Sequence, residues 1–148
     1  MDEAESVRTD RDRFADPTVR VGAGLVNVLI WLAFVAAVAA IVGWVAASLI
    51  VGVVGTVVYV AMDATLGGSP GKLALGLRIT RDDAVTTPPG WGPAITRAIP
   101  SLVGWVPVVG GVLTLVLAVT NIVLVANDAE RRSLHDRVGN TRVVRIDR

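Results

Sequence analysis

Four polar residues interrupt an otherwise apolar stretch of this chain, and their types could build an ion site: Arg20, Asn27 and Asp63, with Asn121 further on. A carboxylate in apolar surroundings needs a cation, a proton or several hydrogen-bond donors. Arg20 and Asn27 are seven residues apart, two helical turns, so they share one face with Ala23 between them. Counted from Gly43, the natural turn, Arg20 lies 23 residues away, Asn27 16 and Asp63 20. In two antiparallel helices Asp63 therefore sits at a level between Arg20 and Asn27, and Arg20 is its expected partner. Two readings stand side by side: an ion or proton site, or a registry-fixing pair that leaves Asp63 permanently charged.

Two further constellations resemble chemistry and do not carry it. Gly67 to Lys72 reads GGSPGK, but Gly67 and Gly71 have three residues between them and Leu73 follows the lysine. A phosphate loop needs four residues there and a Ser or Thr after the lysine, so nucleotide binding is rejected. His135-Asp136 has the residue types for acid/base work, but no nucleophile or second ligand is nearby in sequence, and a hydrogen-bonded structural histidine is expected. The chain has no cysteine and one histidine. That excludes a disulfide framework, thiolate chemistry and a multi-histidine metal site. No metal, cofactor, catalytic residue or nucleic-acid footprint is assigned, and the chain is expected not to be an enzyme.

The elements that must position these residues follow from hydropathy. The 148 residues are 53% hydrophobic and 18% charged, apolar enough that burial must come from lipid. Residues 1–20, with six acids and four arginines, read as a charged tail and not a cleaved leader. Residues 21–62 hold no charged side chain, twice what one membrane crossing needs. Spans are expected at about 21–42 and 45–66, turning at Gly43-Trp44. Leu73, Leu75, Leu77 and Ile79 then alternate with polar or small residues, which predicts a strand over about 73–81. A short helix at about 93–106, broken by Pro100 and Gly104, and a span at about 108–125 follow. Asp128, Arg132 and Asp136, each four apart, would form a ladder of pairs on a short helix ended by Gly139-Asn140, before a second strand at about 141–146.

The fold class is therefore an all-α membrane protein: an antiparallel transmembrane hairpin, a broken or re-entrant helix pair, and a small cytoplasmic two-stranded β element, with residues 21–148 as one membrane domain. Lys and Arg number four before the first span, none at the Gly43 turn, four from Leu66 to Ala98 and six after Val125. The positive-inside rule puts all three charged segments, and both termini, in the cytoplasm. The edge of the first strand has the second as its obvious mate, and they can pair only on one side. Residues 94–125 must then enter and leave on one face.

An arginine at the start of the first span, the run Gly68-Ser69-Pro70-Gly71-Lys72-Leu73-Ala74-Leu75-Gly76-Leu77-Arg78, and Asp128 with Arg131-Arg132-Ser133-Leu134-His135-Asp136-Arg137 resemble the RDD family of small bacterial integral membrane proteins. The resemblance runs from about Arg20 to Val144. Arg20 matches the family's arginine and Asp136 its second aspartate, while the first aspartate is Asn27 here. Asn cannot ionise, and Asp63 is the residue that could restore the charge from the neighbouring helix. Gly68, Pro70, Gly71, Lys72, Arg132, His135 and Asp136 are expected as structural motif positions. The resemblance implies a multi-pass protein of the bacterial plasma membrane and a role in transport of unidentified ligands. The ion or solute site would sit near the cytoplasmic face, around Arg20, Asn27, Asp63 and Asn121. The alternative is a non-catalytic membrane module that stabilises a larger membrane complex. Partners implied are the lipid bilayer and either further copies of the chain or a larger membrane protein.

Overall fold

A computed structural model of the chain describes residues 14–81, 88–105 and 109–146; most of the charged tail lies outside them. Helix α1, Pro17–Val42, begins where chemistry favours it: Pro17 has its φ preset, and the Asp16 carboxylate accepts the Thr18 N–H at 2.8 Å. It therefore starts ahead of the expected position, and Arg20 lies inside it. It stops at Gly43, whose φ of 82° suits only glycine, and α2, Trp44–Leu66, follows at once. The Trp31 ring lies over Gly55, where a Cβ would come within 2.8 Å of it, and Asn27 bonds Tyr59. These contact pairs run in opposite order along the two helices.

Large apolar side chains cover the outward faces, with Ile41 84% and Val45 74% exposed. Helices exposing this much hydrocarbon are solvated by lipid. Among the described residues three helices are long and apolar enough to cross a membrane: α1, the stretch that begins with α2, and α5, Gly110–Asn127.

Gly67, at φ 70°, ends α2, and α3, Pro70–Ala74, forms where the sequence pattern predicts the start of a strand. The correction has a local cause. Ser69 in extended geometry followed by Pro70 is a helix start, and Gly76 at φ 69° then breaks the chain before β1, Leu77–Arg81. The alternation of Leu73 and Leu75 is thus not a strand period. β1 pairs antiparallel with β2, Thr141–Arg145, in the register Leu77 to Arg145 through Arg81 to Thr141. Leu77, Ile79 and Val143 are buried with Ala15 and Ala23, and the partly buried Val19 packs against them, so the ribbon closes the end of the bundle where α1 begins. Residues 14 and 15, assigned to the tail, join it: Phe14 bridges Val144, and the Ala15 N–H donates to the Val143 carbonyl at 3.1 Å.

The second apolar region comprises α4, Trp91–Ala98, a 3-10 helix, Ile99–Trp105, and α5. The change to 3-10 winding comes one residue before Pro100, which lacks an N–H for the α ladder. A Cβ on Gly110 would collide with the Gly104 carbonyl, so α5 returns pressed against the 3-10 helix. Helix α6, Leu134–Gly139, ends at Asn140 in the left-handed region, φ 50°, as the Gly-Asn pair predicts.

Gly71 sets how closely α3 approaches α1, because a Cβ there would meet the Ala23 carbonyl oxygen. Backbone on both sides leaves nothing flexible to yield. Gly71→Ala is expected to cost about 3 kcal/mol through overpacking, read as a lowered unfolding midpoint in detergent, while Gly24→Ala, inside a helix with open space around it, does not lower the midpoint.

Candidate functional site

At the closed end of the bundle, two arginines converge on one carboxylate. Asp136 occupies the third position of α6, in a capping box with Ser133. Its Oδ2 accepts the Ser133 N–H and hydroxyl, both at 2.9 Å. The same oxygen accepts Arg20 from α1, and Oδ1 accepts Arg97 from α4. Asp136 is fully buried, and side-chain exposure is 13% for Arg20 and 6% for Arg97. Arg20 also donates to the Arg131 carbonyl at 2.6 Å, and Arg97 to the Thr141 hydroxyl at 2.5 Å. One carboxylate therefore ties together α1, α4, α6 and, through Thr141, β2. Burial alone would raise the Asp136 carboxyl, but Arg97 and Arg20 hold it well below the usual carboxylate range. Gly139 makes room for this arrangement, since a Cβ there would collide with Arg97 Cγ.

Asp63 does not pair with Arg20. Its Oδ2 lies 3.5 Å from Arg97 Nε, and its Oδ1 has no hydrogen-bond partner among the described residues. Counting residues along two helices fixes a common height but not which way each side chain faces, and α4 supplies a closer guanidinium. Arg97 thereby bridges two aspartates, and the negative charge of Asp63 is engaged away from Arg20.

Asn27 is a fastener. Its amide donates to the Tyr59 hydroxyl at 2.7 Å and to Ser69 Oγ at 2.8 Å, and its Oδ1 accepts the Gly71 N–H at 2.8 Å. It pins the Ser69-Pro70-Gly71 turn against α1. An aspartate could serve the same three partners, because both hydroxyls can reverse and donate. Asn121 is occupied too, accepting the Leu134 N–H at 2.9 Å at the start of α6. The Asp128–Arg132 pair of the expected ladder is present at 3.7 Å. The Arg132–Asp136 pair is not: Asp136 faces inward, and Arg132 meets Glu130 at 3.0 Å.

A cavity of about 790 Å³ opens between α1, α2, α4 and α5. Its polar end is lined by Arg20, Asn27, Asp63, Lys72, Asn121 and His135, and its apolar wall includes Leu25, Val28, Trp31 and Val51. The four residues singled out first thus line one space, though their side chains do not form one hydrogen-bonded cluster. Lys72 has no hydrogen bond or ion pair among the described residues. No group of three or more His, Asp or Glu among the described residues is placed to hold a metal.

A model of the RDD family matches residues 14–140. The chain belongs to the RDD family. Neither a curated protein nor a solved structure matches it. In this RDD protein Arg20 and an aspartate 116 residues later, Asp136, are direct partners. Arg97 was the residue sequence reasoning left out. Its signal was a charge in an otherwise apolar segment, which has to find a buried counter-ion.

His135 Nε2 lies 3.1 Å from the Ser101 hydroxyl. Burial first, and the neighbouring Arg97 second, lower its pKa to about 4. A histidine whose folded pKa lies below the unfolded value near 6.5 adds stability in full above about pH 6.5 and loses it as pH falls toward 4. Titrating the unfolding midpoint from pH 7 to 4 should show this decline in the wild type, and His135→Gln should flatten it. An equal slope in both proteins would assign the decline to other groups.

Proposed function

We propose that this RDD protein is a transporter subunit whose ion or solute site is the cavity beside Asp63, near the cytoplasmic face of a bacterial plasma membrane. The observation that carries the reading is the unpartnered Asp63 Oδ1, on a residue only 5% exposed, in the wall of that cavity. A buried carboxylate oxygen left without a donor is costly, and a bound ligand that supplies one relieves the cost. Catalysis is not part of the proposal.

In this reading α1 and α2 form an antiparallel transmembrane hairpin, and α4, the 3-10 helix and α5 enter and leave on one face. Two features support it. The arginines and Lys72 gather before α1 and in its first turn, between α2 and the end of α4, and after α5, while the Gly43 turn carries no charge. The pairing of β1 with β2 requires the segments after α2 and after α5 to lie on one side. Both termini are then cytoplasmic. Three long helices enclose little space, so a pathway requires further copies or a larger membrane protein.

The second reading, a non-catalytic module that stabilises a larger complex, is supported by Gly111. A Cβ there would meet open space, and Gly111 is outside the cavity lining, so this face of α5 admits close approach by another helix.

Reconstituted into liposomes, the purified protein should move cations, and Asp63→Asn should reduce the flux at least about tenfold while the protein still unfolds cooperatively. Unchanged flux in Asp63→Asn would remove Asp63 from the site. Absence of flux together with stoichiometric co-purification of one larger membrane protein would select the module.

A further inference from the structure

The charges around the cavity leave a remainder of defined chemistry. Arg20 and Arg97 are both spent on Asp136, and Arg97 also approaches Asp63 Oδ2. Among the described residues that line the cavity, two buried atoms have no hydrogen-bond partner, the acceptor Asp63 Oδ1 and the donor Arg97 Nε, and the Lys72 ammonium has no hydrogen bond, its leading charge interaction being the attraction of Asp63. All three residues belong to the same cavity wall. A simple anion would answer Lys72 and face Asp63 unfavourably, and a simple cation would do the reverse. A ligand carrying an anionic oxygen and an N–H donor answers both.

The rest of the wall selects among such ligands. Leu25, Val28, Trp31, Val35 and Val51 line the same space, on helices whose outer faces are apolar and lipid-facing. A volume of about 790 Å³ exceeds what a small zwitterion fills, so hydrocarbon has to occupy the remainder. We propose that the cavity binds a phospholipid with a primary-ammonium headgroup, its phosphate on Lys72, its ammonium on Asp63 Oδ1 and its acyl chain along the Trp31 and Val51 wall. This rests on reading the cavity as a ligand site and names the ligand's chemical class.

The chemistry predicts discrimination by headgroup. Phosphatidylcholine has the same phosphate, but its quaternary ammonium has no N–H to give to Asp63. Phosphatidylglycerol has the phosphate and no ammonium. Native mass spectrometry of the full chain in detergent, with the three lipids at equal concentration and equal acyl chains, should show phosphatidylethanolamine retained at least about tenfold over the other two, the value of one charge-assisted hydrogen bond. Lys72→Met should weaken retention of all three, and Asp63→Asn should bring phosphatidylethanolamine and phosphatidylglycerol within about twofold.

Equal retention of the three lipids by the wild type overturns the proposal, and this arm needs no variant to fold. Selectivity that survives Asp63→Asn in a cooperatively unfolding protein also overturns it. Displacement of the lipid by O-phosphoethanolamine at the same concentration would show that the headgroup suffices, and would replace the lipid with a free zwitterion. Headgroup selectivity without ion flux keeps this assignment and removes the transport reading. Flux without headgroup selectivity does the opposite.

Discussion

A carboxylate with no exposed surface holds two guanidiniums from residues 77 apart in sequence, Arg20 and Arg97, and the arrangement of the polar end depends on it. Withdrawing three charges from water is expensive, and it is tolerated only when the remaining lone pairs and protons are satisfied. Most of them are: Asp136 accepts Ser133 twice as well as both arginines, and Arg20 and Arg97 each find one further oxygen, while Arg97 Nε lies 3.5 Å from Asp63 Oδ2 without a hydrogen bond. The local capping box fixes the carboxylate on α6 before the arginines arrive. The long-range pairs then decide where α1 and α4 stand relative to the β ribbon.

This division suits a chain surrounded by lipid. Apolar helices in hydrocarbon gain little from hiding apolar side chains from one another, so packing and polar contacts set their positions. Along α1 and α2 the packing comes from small residues, with Trp31 on Gly55. At the polar end it comes from Asn27, which holds the turn after α2, and from Asp136. Asn27 keeps the hydrogen bonds an aspartate could make while adding no charge beneath Arg20. Asp63 Oδ1, a buried carboxylate oxygen with no hydrogen-bond donor among the described residues, stands apart from these contacts.

Much of the framework could be read from the residues, because its signals are local or compositional. The long uncharged run predicted two helices joined at Gly43, and α1 and α2 meet there. The pairing of the two strands followed from one exposed edge and one available mate. Leu73 and Leu75 misled, since Pro70 starts a short helix and the apparent alternation belongs to two different elements. The site was harder. Depth counting puts Asp63 at a level between Arg20 and Asn27 but cannot supply the rotation that turns it toward Arg97. Helical spacing makes Asp136 a rung of a ladder with Arg132, because it says which residues are neighbours and not which face is buried. That face is chosen by Arg20 and Arg97, which arrive from far along the chain.

A double-mutant cycle on Arg97 and Asp136, read by reversible unfolding in detergent, tests this account most directly. Arg97→Met and Asp136→Leu are each predicted to destabilise by about 3–5 kcal/mol, because each strands a buried charge. Together they should cost at least about 2 kcal/mol less than the sum of the two, since the double variant strands less charge than the singles combined. Additivity within about 0.5 kcal/mol would mean that the pair is not coupled, and would contradict the claim that Asp136 organises the polar end.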